Sequence, residues 1–387
     1  MEDENKRKYL LIYREMIPSI YLCGHCQMEM LAAQGKVEYR AVQEMKLKNS
    51  DLNRAEIILL GRTNSWYEYQ LTKRLHEAGK YIIYILDDDL LNIPPELSSA
   101  RYYRQTEIQE YIRGMIEMSD AIISPSPLLL EKYARDGRRA IQIEEPAINP
   151  IEYRPHDPEA PVKIGFAGSI DRIGDLEHIP REALLQIKAQ YGNRVRFEFF
   201  GAIPSFADKL EAECIPWCNS YDEYRQTLNE RGWDIGLAPL AESEFNVCKH
   251  YNKFSEYAAA GIVGVFSDVE PYTRLENKYL YGCFCENAVA DWHDRICDLT
   301  EDYALREQYR KNLCELAAGK LSVNNEADRI FDQELSALKI KKTDEKIHCF
   351  LSSMKLGNIT RRGTDFVKRK GICAVFGKLQ EFGSSLS

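Results

Sequence analysis

APLAESEFNVCKHYNKFSEYAAAGIVGVFSD, Ala238 to Asp268, reads as a strand, a helix and a second strand in succession. An apolar strand ends at Pro239 and an acidic loop follows. Asn246 is a suitable N-cap for a helix running to Ala260, because its side-chain oxygen can accept from an amide that has no partner in the first turn. Gly261 then takes the left-handed stop position, and "IVGVFS" from Ile262 forms the next strand. Lys249, Lys253 and Glu256 fall at i, i+4 and i+7, on one face of that helix. Lys249 and Glu256 are then about 10 Å apart along the axis. A cation at the helix start suits a diphosphate, and a carboxylate deeper in suits a ribose hydroxyl. The alternative is a salt-bridged solvent face, but "EYAAAG" is small and apolar for one.

Outward from this unit the alternation continues. "VKIGFA" from Val162, "VRFEFF" from Val195, "DIGLAP" from Asp234 and "YGCFC" from Tyr281 read as further strands. In the first half the strands are "YLLIY" from Tyr9, "VEYRA" from Val37, "EIILL" from Glu56, "YIIYIL" from Tyr81, "AIIS" from Ala121 and "AIQIE" from Ala140. Helical patterns such as "WYEYQLTKRLHEAG" separate them. Strand–helix alternation of this kind predicts parallel, doubly wound sheets. The two halves are joined by "EEPAINPIEYRPHDPEAP", whose prolines mark a linker. The expected organisation is a first domain over 1–150, a second over 151–325, a helix over 326–345 crossing back to the first, and a basic amphipathic tail over 346–387. Ligands of such sheets bind beyond the carboxyl ends of the strands, so the two facing edges should share one cleft.

Composition narrows the function classes. At 387 residues, 44% hydrophobic and 29% charged, the chain is expected to be globular, and no apolar run approaches the length that spans a bilayer. "MEDENKRKYLLIYRE" lacks the apolar core and small-residue cleavage site of a secretory signal, so a cytoplasmic location is expected. Eleven scattered cysteines in a chain of this size read as reduced thiols, and Cys214/Cys218 has no second pair nearby to complete a zinc site. The net charge of −9 is uneven: from Lys339 onward eleven Lys or Arg face four Asp or Glu, leaving the first 338 residues at −16. A body that acidic repels nucleic-acid phosphate, so no nucleic-acid partner is expected.

"YLCGHCQMEML" from Tyr21 contains Cys23-Gly24-His25-Cys26, the tetrapeptide of disulfide-exchange enzymes. Such enzymes are short thioredoxin-like units, whereas this stretch opens a much larger domain. The better reading is a cleft loop after the first strand, leading into a helix from about Gln27. In the second domain, "VKIGFAGSIDRIGDLEHI" carries a strand into Gly168-Ser169 and then a helix. Gly168 allows close backbone approach, and free amides with the Ser169 hydroxyl can meet phosphate oxygens. Strand–Gly–helix turns also occur for structural reasons alone. Asp87, Asp88 and Asp89 follow "YIIYIL" at the carboxyl end of a strand, and Arg62 follows "EIILLG". The acids can bind acceptor hydroxyls or a divalent cation, or form a solvated loop; Arg62 can meet phosphate or be an ordinary surface charge.

The combination of "FNVCKHYNKFSEYAAAGIVGV", "IGFAGSIDR", "YDEYRQTLNERGWDIGLAPL", "YIIYILDDDLLNIP" and "SDAIISPSPLLLEKY" resembles GT-B nucleotide-sugar glycosyltransferases, especially family 4-like bacterial enzymes of surface-polysaccharide assembly. The resemblance covers most of Ala55 to Glu334. It implies an α/β protein with two Rossmann-like, doubly wound domains facing a central cleft. It places Gly168, Ser169 and Lys249 at the donor diphosphate, Glu256 on the ribose, and Gly201 and Tyr221 near the nucleobase, with Asn246 in the same donor loop. His25 lies where related enzymes bring a residue to the donor sugar, and stands beside Lys249 as a catalytic candidate. Arg62 and Asp87–Asp89 fall on the acceptor side. The family's paired glutamates are eight apart, and the position eight before Glu256 is Cys248; either Glu242 or Glu244 supplies that carboxylate through a longer loop, or the contact is missing.

The implied activity is a retaining transfer from a nucleoside-diphosphate sugar to a glycan or lipid-linked acceptor, with charge stabilisation on the leaving diphosphate and no essential metal or cofactor. A non-catalytic GT-B scaffold of a glycan-assembly complex, or a sugar-nucleotide epimerase, are the other readings. The tail mixes Phe366, Val367, Ile372 and Phe376 with Lys and Arg. It is a candidate for peripheral contact with the inner face of the plasma membrane, or for packing on the protein's own acidic body.

Overall fold

The inner strands are buried on both faces, which is what a helix-covered parallel sheet requires. "IILLG" at Ile57–Gly61 and "VGVFS" at Val263–Ser267 have every residue buried. The computed structural model describes residues 6–340 except Asn219, together with Lys346, Ile347 and Leu351. Twelve strands form two sheets. In the first domain they are β1 (Lys8–Tyr13), β2 (Glu38–Gln43), β3 (Ile57–Gly61), β4 (Tyr81–Ile85), β5 (Ala121–Ser124) and β6 (Arg139–Gln142), in the order β2-β1-β3-β4-β5-β6. In the second they are β7 (Val162–Gly168), β8 (Val195–Gly201), β9 (Glu213–Ile215), β10 (Ile235–Ala238), β11 (Val263–Ser267) and β12 (Gly282–Cys285), in the order β12-β11-β10-β7-β8-β9. Every pairing is parallel. The carboxyl ends of β1, β3 and β4 therefore share one edge, as do those of β7, β8 and β10.

The chain crosses back at its end. The helix Val323–Ile330, capped by Ser322, packs on the first-domain helix Cys26–Ala33 and buries Ala327 and Ile330 there. Lys36–Asp328 at 2.8 Å and Arg139–Glu334 at 2.9 Å tie it down. Further on, Ile347 and Leu351 are buried in the first domain's core, and Ile347 exchanges two backbone hydrogen bonds with the Asn53 side chain. The rest of the basic tail lies outside the described residues. Among the described residues, no helix is long and apolar enough to cross a membrane.

Candidate functional site

Two loops from opposite domains meet in a charged hub. From the first domain, the turn after β3 carries Arg62 and the turn after β4 carries Asp87 and Asp88. Arg62 donates from Nη1 to Asp87 Oδ2 at 2.7 Å and from Nη2 to Asp88 Oδ2 at 3.3 Å, with Ser19 Oγ a further acceptor at 3.3 Å. Its φ of +50° is a conformation a long side chain rarely adopts, held by this over-determined set of bonds. From the second domain, Lys249 Nζ donates to Asp88 Oδ1 at 2.9 Å and lies 4.4 Å from the Phe245 ring centroid. Burial raises the Asp88 carboxyl, but Lys249 and Arg62 outweigh it and hold the group well below the usual carboxylate range. Burial lowers Lys249, opposed by Asp88. Burial also raises Asp87, against the pull of Arg62.

Beside the hub is the Gly168 turn. A Cβ on Gly168 would stand 2.9 Å from the Phe166 ring and 3.5 Å from Arg172 Cγ. Gly201, its partner across β7 and β8, has φ +83°, and a Cβ there would stand 2.5 Å from the Gly168 carbonyl oxygen and 2.6 Å from the Trp217 ring. Only glycine fits both demands. Ser169 is exposed in extended backbone just before the turn Ile170–Arg172, its hydroxyl making no cap bond. Arg172, held by Asp175 at 3.1 Å, stands close enough to Lys249 and Asp88 to act on both charges. The sequence reading passed over it, although it lies four residues beyond Gly168.

Below the turn sits an aromatic cluster. Tyr224 stacks on Phe200 at 5.2 Å and on Tyr221 at 6.0 Å, and the half-exposed Trp217 lies 6.2 Å away. Tyr221 faces Tyr21 of the first domain at 5.8 Å. The Tyr224 hydroxyl donates to Glu256 Oε2 at 2.9 Å, and Lys253 pairs with the same carboxylate.

Several expectations change. The helix starts at Asn252, not after Asn246, and runs to Ala260. Asn246 opens a separate short turn to Cys248 and donates from Nδ2 to the Ala241 carbonyl. Lys249 is in extended backbone before the helix, so it shares no helical face with Glu256; Lys253 and Glu256 pair with each other instead. Asp89 does not face the cleft as a free acid, because Lys132, Tyr133 and Asn92 of its own domain satisfy it. Glu244 is exposed and lines a groove of about 740 Å³ shared with Arg104 and Arg113. Cys248 is buried and, with Phe245, packs into the first domain's core.

His25 also differs. It lies in a helical turn kinked at Cys23–Gly24, with Nδ1 2.7 Å from the Tyr39 hydroxyl and Nε2 3.3 Å from Glu29. Tyr39 sits near the start of β2, so these contacts do not join His25 to the Lys249 hub. Cys23 and Cys26 are buried free thiols, both pushed up chiefly by burial, the opposite of an activated redox pair.

The interruption of the helix has a cause the sequence reading missed. His250, immediately after Lys249, is buried between the two linker acids: Nε2 is 3.0 Å from Glu144 Oε2 and Nδ1 is 3.4 Å from Glu145 Oε2. Tyr251 donates to Glu144 at 2.6 Å, and Cys23 donates to Glu145 at 3.1 Å. Burial favours the neutral imidazole, but Glu145 and Glu144 raise His250 to about 9. This cluster fixes the Lys249 loop to the linker. Among the described residues, no set of three or more His, Cys, Asp or Glu side chains is grouped to hold a metal ion.

No protein-family model and no curated protein sequence matches the chain. Solved structures do. Anabaena HepE in complex with UDP and glucose superposes with a TM-score of 0.58 at 12% identity, over 86% of this chain and 100% of that one. A glycosyltransferase from Rickettsia africae gives 0.57 at 15% identity, over 87% and 100%. Sucrose-phosphate synthase from Thermosynechococcus elongatus gives 0.57 at 12%, over 86% and 100%. With two six-stranded parallel sheets, the chain has the GT-B fold of glycosyltransferases.

Proposed function

We propose that the protein is a hexosyltransferase that moves a sugar from a nucleoside-diphosphate donor to an acceptor hydroxyl with retention of anomeric configuration. The observation that carries this reading is the joint position of Lys249 and Arg172 near the Gly168–Gly201 turn, where two cations border a backbone that carries no side chain of its own at either glycine. That is the chemistry a diphosphate needs. Trp217, Tyr221 and Tyr224 supply a base-side wall, and Glu256 a carboxylate for the ribose. UDP is the first nucleotide to test, since HepE was captured with it.

Transfer by this route asks the protein mainly to stabilise charge as the glycosidic bond to the diphosphate breaks. Lys249, Arg172 and the amides after β7 face that charge. The acceptor hydroxyl attacks from the same side as the departing phosphate, and its proton passes to the phosphate oxygen. On the acceptor side, a cavity of about 380 Å³ is lined by Arg14, Arg62, Asn64, Tyr102 and Tyr103, among others. It suits a glycan or the sugar of a lipid-linked acceptor. Surface-polysaccharide assembly at the cytoplasmic face of the membrane is the setting this chemistry fits.

A scaffold reading is favoured by one observation: Cys248 stands where the resemblance calls for a carboxylate, and its side chain is turned into the first domain's core. Thermal-shift titration with UDP, GDP, dTDP and CDP sugars, followed by assay of nucleoside diphosphate release, separates the two. Release that depends on an added acceptor supports the transferase; tight binding without turnover supports the scaffold. No binding at all sinks both.

A further inference from the structure

The Asp88–Lys249 pair is the main charged contact across the mouth of the cleft, and it uses the cation assigned above to the donor. The contact is built. The Lys249 and Asp88 side chains are only 18% and 21% exposed. The loop that carries Lys249 is anchored by Phe245 and Cys248 in the first domain's core, and by His250 on the linker. A second bridge, from the Ser98 amide to Asp171 Oδ1 at 3.0 Å, ties the turn after β7 to the same first-domain loop that follows β4. Asp88 is thus presented to Lys249 by structure on both sides, with one carboxylate oxygen on Lys249 and the other on Arg62.

We infer that Asp88 holds the place on Lys249 that the donor's diphosphate takes, and that donor binding displaces it. This rests on the transferase reading of the site. Within the hub Arg62 and Lys249 face Asp87 and Asp88, while Arg172, held by Asp175, acts on the pair from beside it. A diphosphate on Lys249 sets its oxygens against the Asp88 carboxylate inside a partly desolvated site, where like charges repel strongly. The pair must separate. Asp88 then keeps only Arg62, the residue that joins it to the acceptor cavity, and has one carboxylate oxygen free. Asp88 is accordingly a positioning residue with opposite effects on the two substrates. It competes with the donor, and once displaced it accepts from the acceptor hydroxyl. Donor binding precedes acceptor binding, because the acceptor's partner is released only when the donor is in place.

The test is calorimetric titration of UDP, GDP, dTDP, CDP and inorganic pyrophosphate into the wild type, Asp88→Asn, Lys249→Ala and the double variant, with Asp88→Ser made in parallel in case the asparagine does not fold. The expected result is that Asp88→Asn binds the nucleoside diphosphate roughly tenfold more tightly, the scale of one charge-assisted contact. In the Lys249→Ala background the same change gives much less. In turnover, Asp88→Asn lowers the donor KM and raises the acceptor KM, a split that a merely structural residue does not produce. If the wild type binds a nucleoside diphosphate, Lys249→Ala weakens it, and Asp88→Asn or Asp88→Ser binds it no more tightly, the exchange is wrong while the donor site stands. If neither the wild type nor either Asp88 variant binds any of these ligands, the donor site itself is wrong and the exchange falls with it.

Discussion

Replacing His250 with alanine removes a buried cation from between two carboxylates, and the cost can be worked out in two ways. Breaking a buried ion pair by deleting one partner costs about 3–5 kcal/mol, because the remaining charge is left uncompensated. Glu145 is that charge: its side chain is 5% exposed, and its other contact is the Cys23 thiol. Independently, raising the imidazole from 6.5 to about 9 corresponds to about 3 kcal/mol of preference for the charged ring in the folded protein. The direction with pH follows. A raised folded-state pKa gives stabilisation that is complete below about 6.5 and fades as pH rises through about 9. Urea unfolding of the wild type and His250→Ala should therefore show a difference of about 3–5 kcal/mol near pH 6, shrinking by about 3 kcal/mol by pH 10. A difference that stays constant across that range would refute the assignment of a charged His250. A stable, wild-type-like variant at pH 6 would refute the buried pair itself.

Gly201→Ala should lower stability by about 1–3 kcal/mol through its left-handed backbone alone, and weaken nucleotide binding by shifting the Gly168 carbonyl; an unchanged melting curve and affinity would count against the turn. Glu256→Gln should weaken nucleoside diphosphate binding about tenfold to a hundredfold if Glu256 accepts from the ribose. The loss should largely vanish with the 2′-deoxy nucleotide, and additive losses would leave Glu256 as the partner of Lys253 and Tyr224 only. Cys23 and Cys26 should resist alkylation in the native protein and react only on unfolding, read by mass spectrometry; rapid native modification, or reduction of insulin, would revive the redox reading of the CGHC stretch.

The parallel sheets were legible because their inner strands, such as β3, β4 and β11, are apolar runs rich in β-branched residues, a pattern that follows directly from burial on both faces. β9 was not: "ECI" at Glu213–Ile215 is a short edge strand with exposed glutamate and cysteine, and carries no such pattern. Gly168 was open to a backbone argument because close approach leaves a glycine behind, whereas Gly201 came only from the resemblance; the structure sets the two side by side on β7 and β8. The Lys249 helix misled because residues 249, 253 and 256 happen to keep helical spacing. The helix starts late, at Asn252, and His250, two residues before it, is held by linker acids about a hundred residues upstream, which nothing local encodes. The same holds for Asp88 and Asp89. They are chemically identical neighbours in the sequence, yet one turns to Lys249 across the cleft while the other turns to Lys132 in its own domain. His25 follows the first strand as expected, and its ring contacts Tyr39, Glu29 and Tyr21, the last of which faces Tyr221 of the second domain.

If Lys249 carries the donor diphosphate, Lys249→Ala must show it when nucleoside diphosphate affinity and sugar transfer are measured in the same preparation. The expected variant is correctly folded, binds the nucleoside diphosphate more weakly and loses about 2.7–4 kcal/mol of transition-state stabilisation, the scale of one preorganised donor, corresponding to roughly a hundredfold to a thousandfold in rate. Turnover and affinity equal to the wild type's would contradict it.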